Sequence, residues 1–364
     1  MHCSSLGEFE QGRPLLEKLR NDYPNFKIVL SFFSPSGYEV QKNYAGADHV
    51  FYLPMDSKKN AAKWYELINP ACVLFVKYEF WNYYLQEAKK RKIPLLLISG
   101  IFRESQPFFS WYGKFYRDML KCFTHLFIQD ENSAKLLQSI GIDNFTICGD
   151  TRFDRVLHME KDQRESPGIE NFCGKNTTIV AGSTWLEDDE ELNHYVNKKM
   201  DMRFIIAPHN IGPDRIKECL TLYNNAILYS EFVINYYLPP GINTLIIDNI
   251  GMLKRLYGFA TISFVGGGFG GDGVHNVLEP AVYGRPVLFG PVFEKFPEAE
   301  NLVAAGGAFS IIDAIELEEK LNELLKDEDE FKKACLKARE FVVSNAGATK
   351  LILDYFKEKR LLTN

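Results

Sequence analysis

The chain has 364 residues, 46% of them hydrophobic, and a formal net charge of −6. That is enough apolar material for two ordinary soluble domains, with no overall positive field to favour nucleic acid. Seven scattered cysteines form no C-x-x-C pair and seven histidines form no H-x-x-x-H pair, so neither a disulfide framework nor a metal site is implied. No run of about 18 apolar residues is present to form a transmembrane helix.

The chain opens abruptly. Met1-His2-Cys3-Ser4-Ser5 runs straight into Leu6-Gly7-Glu8, a loop-and-helix signal that a strand should precede, as though the first strand were entered partway. Residues 13–23 read as a helix with Pro14 in its first turn, and 27–33 as an apolar strand ended by Ser34-Pro35-Ser36-Gly37. Then come a strand at 50–53, a helix at 61–68, a strand at 71–76, a helix at 82–91 and a strand at 93–99. A strand at 126–129, a helix at 131–140 and a strand at 145–148 close the series. Strands separated by helices of this length imply a parallel sheet with right-handed crossovers.

Between residues 151 and 176 the alternation breaks, in a polar segment with a Pro167-Gly168 turn signal. A second series follows, with strands at 178–181, 203–207, 226–228, 244–247 and 261–265 and helices at 188–199 and 213–222. The tail, 317–362, is mostly helical and charged, and long enough to pack across the first domain. The expectation is an α/β protein of two doubly wound domains with a cleft between them. The first spans 1–160 and the second 161–345, and a C-terminal helix at 346–364 returns to the first.

The densest signal is the stretch from Phe264 to Pro291. A buried strand enters a loop carrying Gly266, Gly267, Gly268, Gly270, Gly271 and Gly273. A helix is expected to open near His275-Asn276 and carry Glu279, ahead of a strand at 286–289. Glycines admit close backbone approach, and a helix N-terminus offers free N–H groups to an anion. Glu279 could accept hydrogen bonds from the vicinal hydroxyls of a ribose. The pattern predicts a nucleotide at the carboxyl edge of a parallel sheet. Many such loops are only tight strand–helix turns, and this one has neither the G-x-G-x-x-G spacing with an acidic partner nor the P-loop G-K-[ST].

Other candidates sit at strand ends. Glu8 could take a proton from an attacking hydroxyl, or simply complement a helix dipole. Glu79 lies among Tyr78, Phe80 and Trp81, where a raised pKa would suit acid–base work and a salt bridge would be structural. Ser183 and Thr184 read as N-caps or phosphate donors. The run Asp188, Asp189, Glu190, Glu191 reads as a solvated first turn. Pro208-His209 follows a strand. Residues 103–121 interleave Phe108, Phe109, Trp111, Tyr112, Phe115 and Tyr116 with Arg103, Lys114, Arg117 and Lys121. That mix suits either a membrane interface or a core-facing helix with a basic outer side.

The blocks SSLGEFEQGRPLLEKLR, FFSPSGYE, YLPMD, VKYEFWNYYL, GDTRFD, GSTWLEDDE, APH and FVGGGFGGDGVHNVLEPAVYGRPVLFGP occur in this order. Together they resemble the 3-deoxy-D-manno-octulosonic acid (Kdo) transferases of Gram-negative lipopolysaccharide synthesis, over nearly the whole chain. The resemblance implies a GT-B fold of two Rossmann-like domains. It also implies inverting, metal-independent transfer of Kdo from CMP-Kdo to the lipid A precursor (lipid IVA), without a cofactor. By motif match, Glu8 is the general base, Glu79 the second acidic residue and Arg152 a cation offsetting developing charge. Donor contacts fall on Ser183, Pro208, His209, Ile250, Gly251, Met252, Gly273, Asn276, Val277, Leu278 and Glu279. Acceptor or anionic inner-membrane contacts fall on Arg103, Phe108, Trp111, Lys114 and Arg117.

Two motifs depart from the family. Pro208-His209-Asn210 lacks the Arg of Pro-Arg-His, leaving more of the phosphate to the helix dipole after Gly273. Asp248-Asn249-Ile250-Gly251-Met252 lacks the Glu of Asp-Thr-Met-Gly-Glu. The usual N-terminal anchor is also missing, so a peripheral protein on the cytoplasmic face of the inner membrane is expected, with a native upstream anchor left open. The rivals are another GT-B enzyme, a UDP-sugar transferase or epimerase, and a non-catalytic nucleotide-sugar-binding protein.

Overall fold

A computed structural model describes residues 1–160 and 166–362. Part of the polar segment, 161–165, lies outside the described residues. The chain divides into two compact units, Met1–Arg155 with Asn345–Asn364, and Val156–Ser344. The sequence reading sets its boundaries at 160/161 and 345/346.

The first unit runs β1 (His2–Cys3), α1 (Leu6–Asp22), β2 (Val29–Phe32), α2 (Pro35–Gln41), β3 (His49–Tyr52), α3 (Lys58–Ile68), β4 (Val73–Val76), α4 (Asn82–Lys90) and β5 (Leu95–Gly100). It continues through α5 (Lys114–Leu120), β6 (His125–Ile128), α6 (Glu131–Ser139) and β7 (Phe145–Ile147) into α7 (Thr151–Glu160). The strands form one parallel sheet in the order β3-β2-β1-β4-β5-β6-β7. Alternate residues fill opposite faces, as strand geometry requires. In β5, Leu96 and Ile98 join one core with Phe9, Leu15 and Phe32, while Leu95 and Leu97 join the other with Tyr65, Tyr84 and Leu120.

The second unit runs α8 (Ile169–Cys173), β8 (Thr178–Thr184), α9 (Leu186–Lys198), β9 (Arg203–Pro208), α10 (Pro213–Leu222), β10 (Ala226–Leu228), α11 (Tyr229–Phe232), β11 (Thr244–Ile246), α12 (Leu253–Leu256) and β12 (Ile262–Val265). It continues through α13 (Leu278–Ala281), β13 (Val287–Phe289), α14 (Pro297–Ala305), β14 (Ala308–Ser310), α15 (Ala314–Lys326) and α16 (Glu328–Ser344). Its parallel sheet has the order β10-β11-β9-β8-β12-β13-β14. The last helix, α17 (Ala348–Glu358), belongs to the first unit, where Ala348, Ile352 and Phe356 pack with Phe9, Leu15 and Leu16.

In both sheets the strand order reverses beside the first strand, at β1/β4 and at β8/β12. Ligands of open α/β sheets bind beyond the carboxyl ends of strands at such switch points. Glu8 follows β1 and Glu79 follows β4. Ser183 lies at the end of β8, and the glycine-rich loop follows β12.

Several local expectations are corrected. Helix α1 begins at Leu6, not near residue 13, because Ser5 and Glu8 form a capping box. Ser34-Pro35 does not merely end a strand: the Ser34 hydroxyl caps α2, with Pro35 at its first position. The stretch read as broken after residue 150 carries α7 and α8. The helix expected to open near His275 is α13, confined to Leu278–Ala281. One turn aligns too few peptides for a strong dipole, so the load assigned to a helix dipole after Gly273 has no long helix behind it. Residues 103–121 are not one helix but a 3₁₀ turn, Pro107–Phe109, followed by α5.

Candidate active site

In the first unit the site is built on two carboxylates. Glu8 sits in the first turn of α1, half-buried, and its Oε2 accepts both the Ser5 N–H and the Ser5 hydroxyl at 2.6 Å. Among the described residues only Oε2 accepts hydrogen bonds. Glu79 is 8% exposed. Its Oε2 receives the Trp81 indole N–H and faces His2 Nε2 at 3.2 Å. His2 Nδ1 lies 3.0 Å from Ser31 Oγ. A proton on Nε2 lets the imidazole donate to the carboxylate and accept from the serine, so His2 aligns Glu79. Its ring is held edge-on against Phe75 and Trp81.

Arg152 is not a bare cation. Its Nε donates to Asp150 Oδ2 at 2.8 Å, and the Asp150 carboxylate also receives Gln11 Nε2. The aromatic segment divides. Phe108 is buried against Phe80, ring centroids 4.8 Å apart, and is core rather than contact surface. Arg117 Nη1 donates to the carbonyls of Phe108 and Ser110, stapling the turn. Trp111 is 92% exposed, and Tyr112, Phe115, Arg103 and Lys114 are exposed beside it in sequence.

In the second unit the glycine-rich loop is shaped largely by its own packing. A Cβ on Gly268 would stand 2.6 Å from Gly290 N, and Gly273 has φ +86° with Phe296 against it. A Cβ on Gly271 would meet nothing within 4 Å, and this residue lies at the open tip beside Gly270. Ser183 is not an N-cap: Trp185 caps α9, and Ser183 has a left-handed φ of 56° at the end of β8. Asp188 and Asp189 are not solvated but fully buried. Asp189 pairs with Arg215 and accepts the Tyr223 hydroxyl at 2.8 Å. Asp188 turns toward the glycine-rich loop.

Three rings meet at the same sheet edge. Trp185 Nε1 donates to His275 Nε2 at 3.0 Å, with the two rings nearly parallel. His209 stacks on both, its centroid 4.5 Å from each. Burial, and secondarily His209, lower the His275 pKa to about 4, so it is neutral at ordinary pH with its proton on Nδ1. Pro208 is buried and His209 exposed. Ile250 is exposed, Gly251 has φ 93° and Met252 is buried. Val277 and Leu278 are fully buried, so they offer a ligand main chain only, and the Leu278 N–H already reaches Asn276 Oδ1 at 3.2 Å. Asn276 Nδ2 in turn donates to Glu279 Oε1, also at 3.2 Å.

Residues 1–155 match the family profile of 3-deoxy-D-manno-octulosonic-acid transferase (kdotransferase). The 3-deoxy-D-manno-octulosonic acid transferase of Haemophilus influenzae is 25% identical over 98% of this chain and 86% of its own length. A bifunctional glycosyltransferase/methyltransferase of Fusobacterium nucleatum is 26% identical over 100% of this chain, which spans 55% of that protein's length. Residues 1–155 thus carry a domain matching the Kdo transferases, and nearly the whole chain is similar to members of that family. These are glycosyltransferases, and the fold is GT-B. It resembles the UDP-GlcNAc 2-epimerase of Neisseria meningitidis bound to UDP-GlcNAc, with a TM-score of 0.68 at 17% identity over 98% of both chains, a likeness of fold alone.

No motif in the sequence singles out His2, Trp185, Asp188 or His275, which the structure brings to these two strand-end clusters. Two of them carry only a local signal. Asp188 stands three residues after Trp185, the spacing of a capping box, and His2 precedes the Ser-Ser-Leu-Gly-Glu turn in the strand that presents it. The contacts that give Trp185 and His275 their roles join positions 90 residues apart.

Proposed function

We propose that this protein moves Kdo from CMP-Kdo to a sugar hydroxyl of the lipid A precursor, lipid IVA, with inversion at the anomeric carbon. The observation that carries the reading is Glu8, held at Oε2 by Ser5 beyond the carboxyl end of β1. The acceptor hydroxyl gives its proton to Glu8 as its oxygen attacks the anomeric carbon. The bond from that carbon to the phosphate oxygen breaks, and CMP leaves with the electron pair. A single displacement inverts the centre. Glu79, aligned by His2 and Trp81, supports the positive charge that develops on the donor sugar. The glycine-rich loop and the Trp185–His209–His275 edge receive the nucleotide. The exposed Trp111, Tyr112 and Phe115 with Lys114 and Arg103 favour peripheral binding to the anionic cytoplasmic face of the inner membrane.

The test is CMP release from CMP-Kdo with and without tetraacyl disaccharide lipid A precursor, in EDTA. Acceptor-dependent release with a Kdo mass gain on the lipid is expected. Release of UDP from a UDP-sugar, or CMP binding without turnover, would replace the reading. Glu8→Gln should lower turnover by about 10²–10⁴-fold while the protein stays folded, and near-full turnover would remove Glu8 as the base.

A further inference from the structure

Asp188 lies at the start of α9 and is fully buried. Its Oδ2 accepts the main-chain N–H of Trp185 at 2.8 Å and of Gly267 at 2.7 Å, and its Oδ1 that of Phe269 at 3.5 Å. One carboxylate thus ties the root of the glycine-rich loop to the residue whose indole anchors His275. Beyond the tie, Gly270 and Gly271 form the open tip of the loop.

We infer that Asp188 is the positioning residue of the donor site, holding the glycine-rich loop and Trp185 in the register that receives the nucleotide phosphate. The inference rests on the donor-site reading above and assigns that site's geometry to a side chain that need not touch the ligand.

An ionised carboxylate presents only acceptors to the three N–H groups, whereas a protonated one places its own O–H among them and strands a donor. Burial pushes the Asp188 carboxyl up to about 6, the three amides opposing the shift and Asp189 adding to it. The charged group beside it is Asp189 of α9, paired with Arg215 of α10; His275, reached through the Trp185 indole, has His209 and Asp272 beside it. His275 stays neutral across this range. The tie therefore holds above about pH 6 and loosens below it.

The test is CMP affinity by calorimetry from pH 5 to 8 for the wild type and Asp188→Asn, together with amide hydrogen exchange of residues 266–270. CMP's own phosphate titrates alike in both proteins, so the ratio of the two affinities is read. That ratio should fall about tenfold per pH unit below about pH 6, and the wild-type loop amides should lose protection over the same range. A flat ratio with pH-independent protection overturns the inference, since a purely structural Asp188 would change only the melting temperature of the variant. If the variant does not fold, wild-type exchange alone decides the tie. If the wild type does not bind CMP, the donor-site reading and the positioning role fall together, and the exchange arm shows whether the tie itself exists.

Discussion

At the scale of single residues, the first unit shows how two carboxylates can be made to differ. Glu8 is a local device, a capping-box residue whose partner is three positions away, and its setting could be read from Ser5-x-x-Glu8. Glu79 is a tertiary device: its partner His2 is 77 positions away, and no local pattern joins them. His2→Ala removes the group that aligns Glu79 and takes from the Ser31 hydroxyl its His2 contact. It should destabilise the first unit by about 1–3 kcal/mol and lower kcat more than the donor KM. Denaturant melts beside steady-state kinetics check this, and a loss of stability with unchanged kcat would make the network purely structural.

At the scale of elements, the glycine-rich loop was legible as a feature but not in its reasons. Its glycines were read as room for a ligand, yet Gly268 is required by the passage of Gly290. Gly268→Ala should cost about 1–3 kcal/mol by overpacking and weaken CMP binding. Gly271→Ala should leave the melting temperature unchanged, so any loss of CMP affinity in it reports ligand approach. Paired melts and calorimetry separate the two. Asp188 adds a linkage term. Its carboxyl titrates at about 6 in the fold against an ordinary 3.8, so the ionised form that ties the loop is also the costlier one to bury: global stability is greatest below about pH 4 and falls as pH rises through about 6, while the loop tie forms over the same range. Relative to Asp188→Asn, the wild type should be about 2 kcal/mol more stable at pH 4 than at pH 7. Denaturant unfolding at both pH values measures the difference, and equal offsets would remove the assigned shift.

At the scale of the whole molecule, α17 returns to the first unit and adds Ala348, Ile352, Leu353 and Phe356 to the core around Phe9 and Phe32. Phe356→Ala should destabilise that unit by about 3–5 kcal/mol. Hydrogen exchange should then rise in residues 29–32 and not in 204–207. The exposed Trp111 and Phe115 make a separate prediction. Replacing both with Ala should reduce partition onto anionic vesicles at least about tenfold without changing CMP affinity, and undiminished partition would remove the segment as the membrane contact. Among the described residues no helix is long and apolar enough to cross a membrane.

The sequence by itself determined the fold class and most of the strands in chain order, though not the sheet order or β14, because apolar runs bounded by Gly, Pro and polar helices carry their own period. It also pointed to the strand ends that hold Glu8, Glu79 and the glycines, because a parallel sheet gathers its carboxyl-end loops at a switch point. It misjudged Asp188 and Asp189. Four consecutive acids in a helix's first turn are locally indistinguishable from a solvated face, and only α10 and the returning loop bury two of them. The Trp185–His209–His275 edge and the His2–Glu79 pair were settled by tertiary structure alone. Their contacts cross from strand to strand, and the spacing of residues along one chain does not encode which neighbours a sheet will supply.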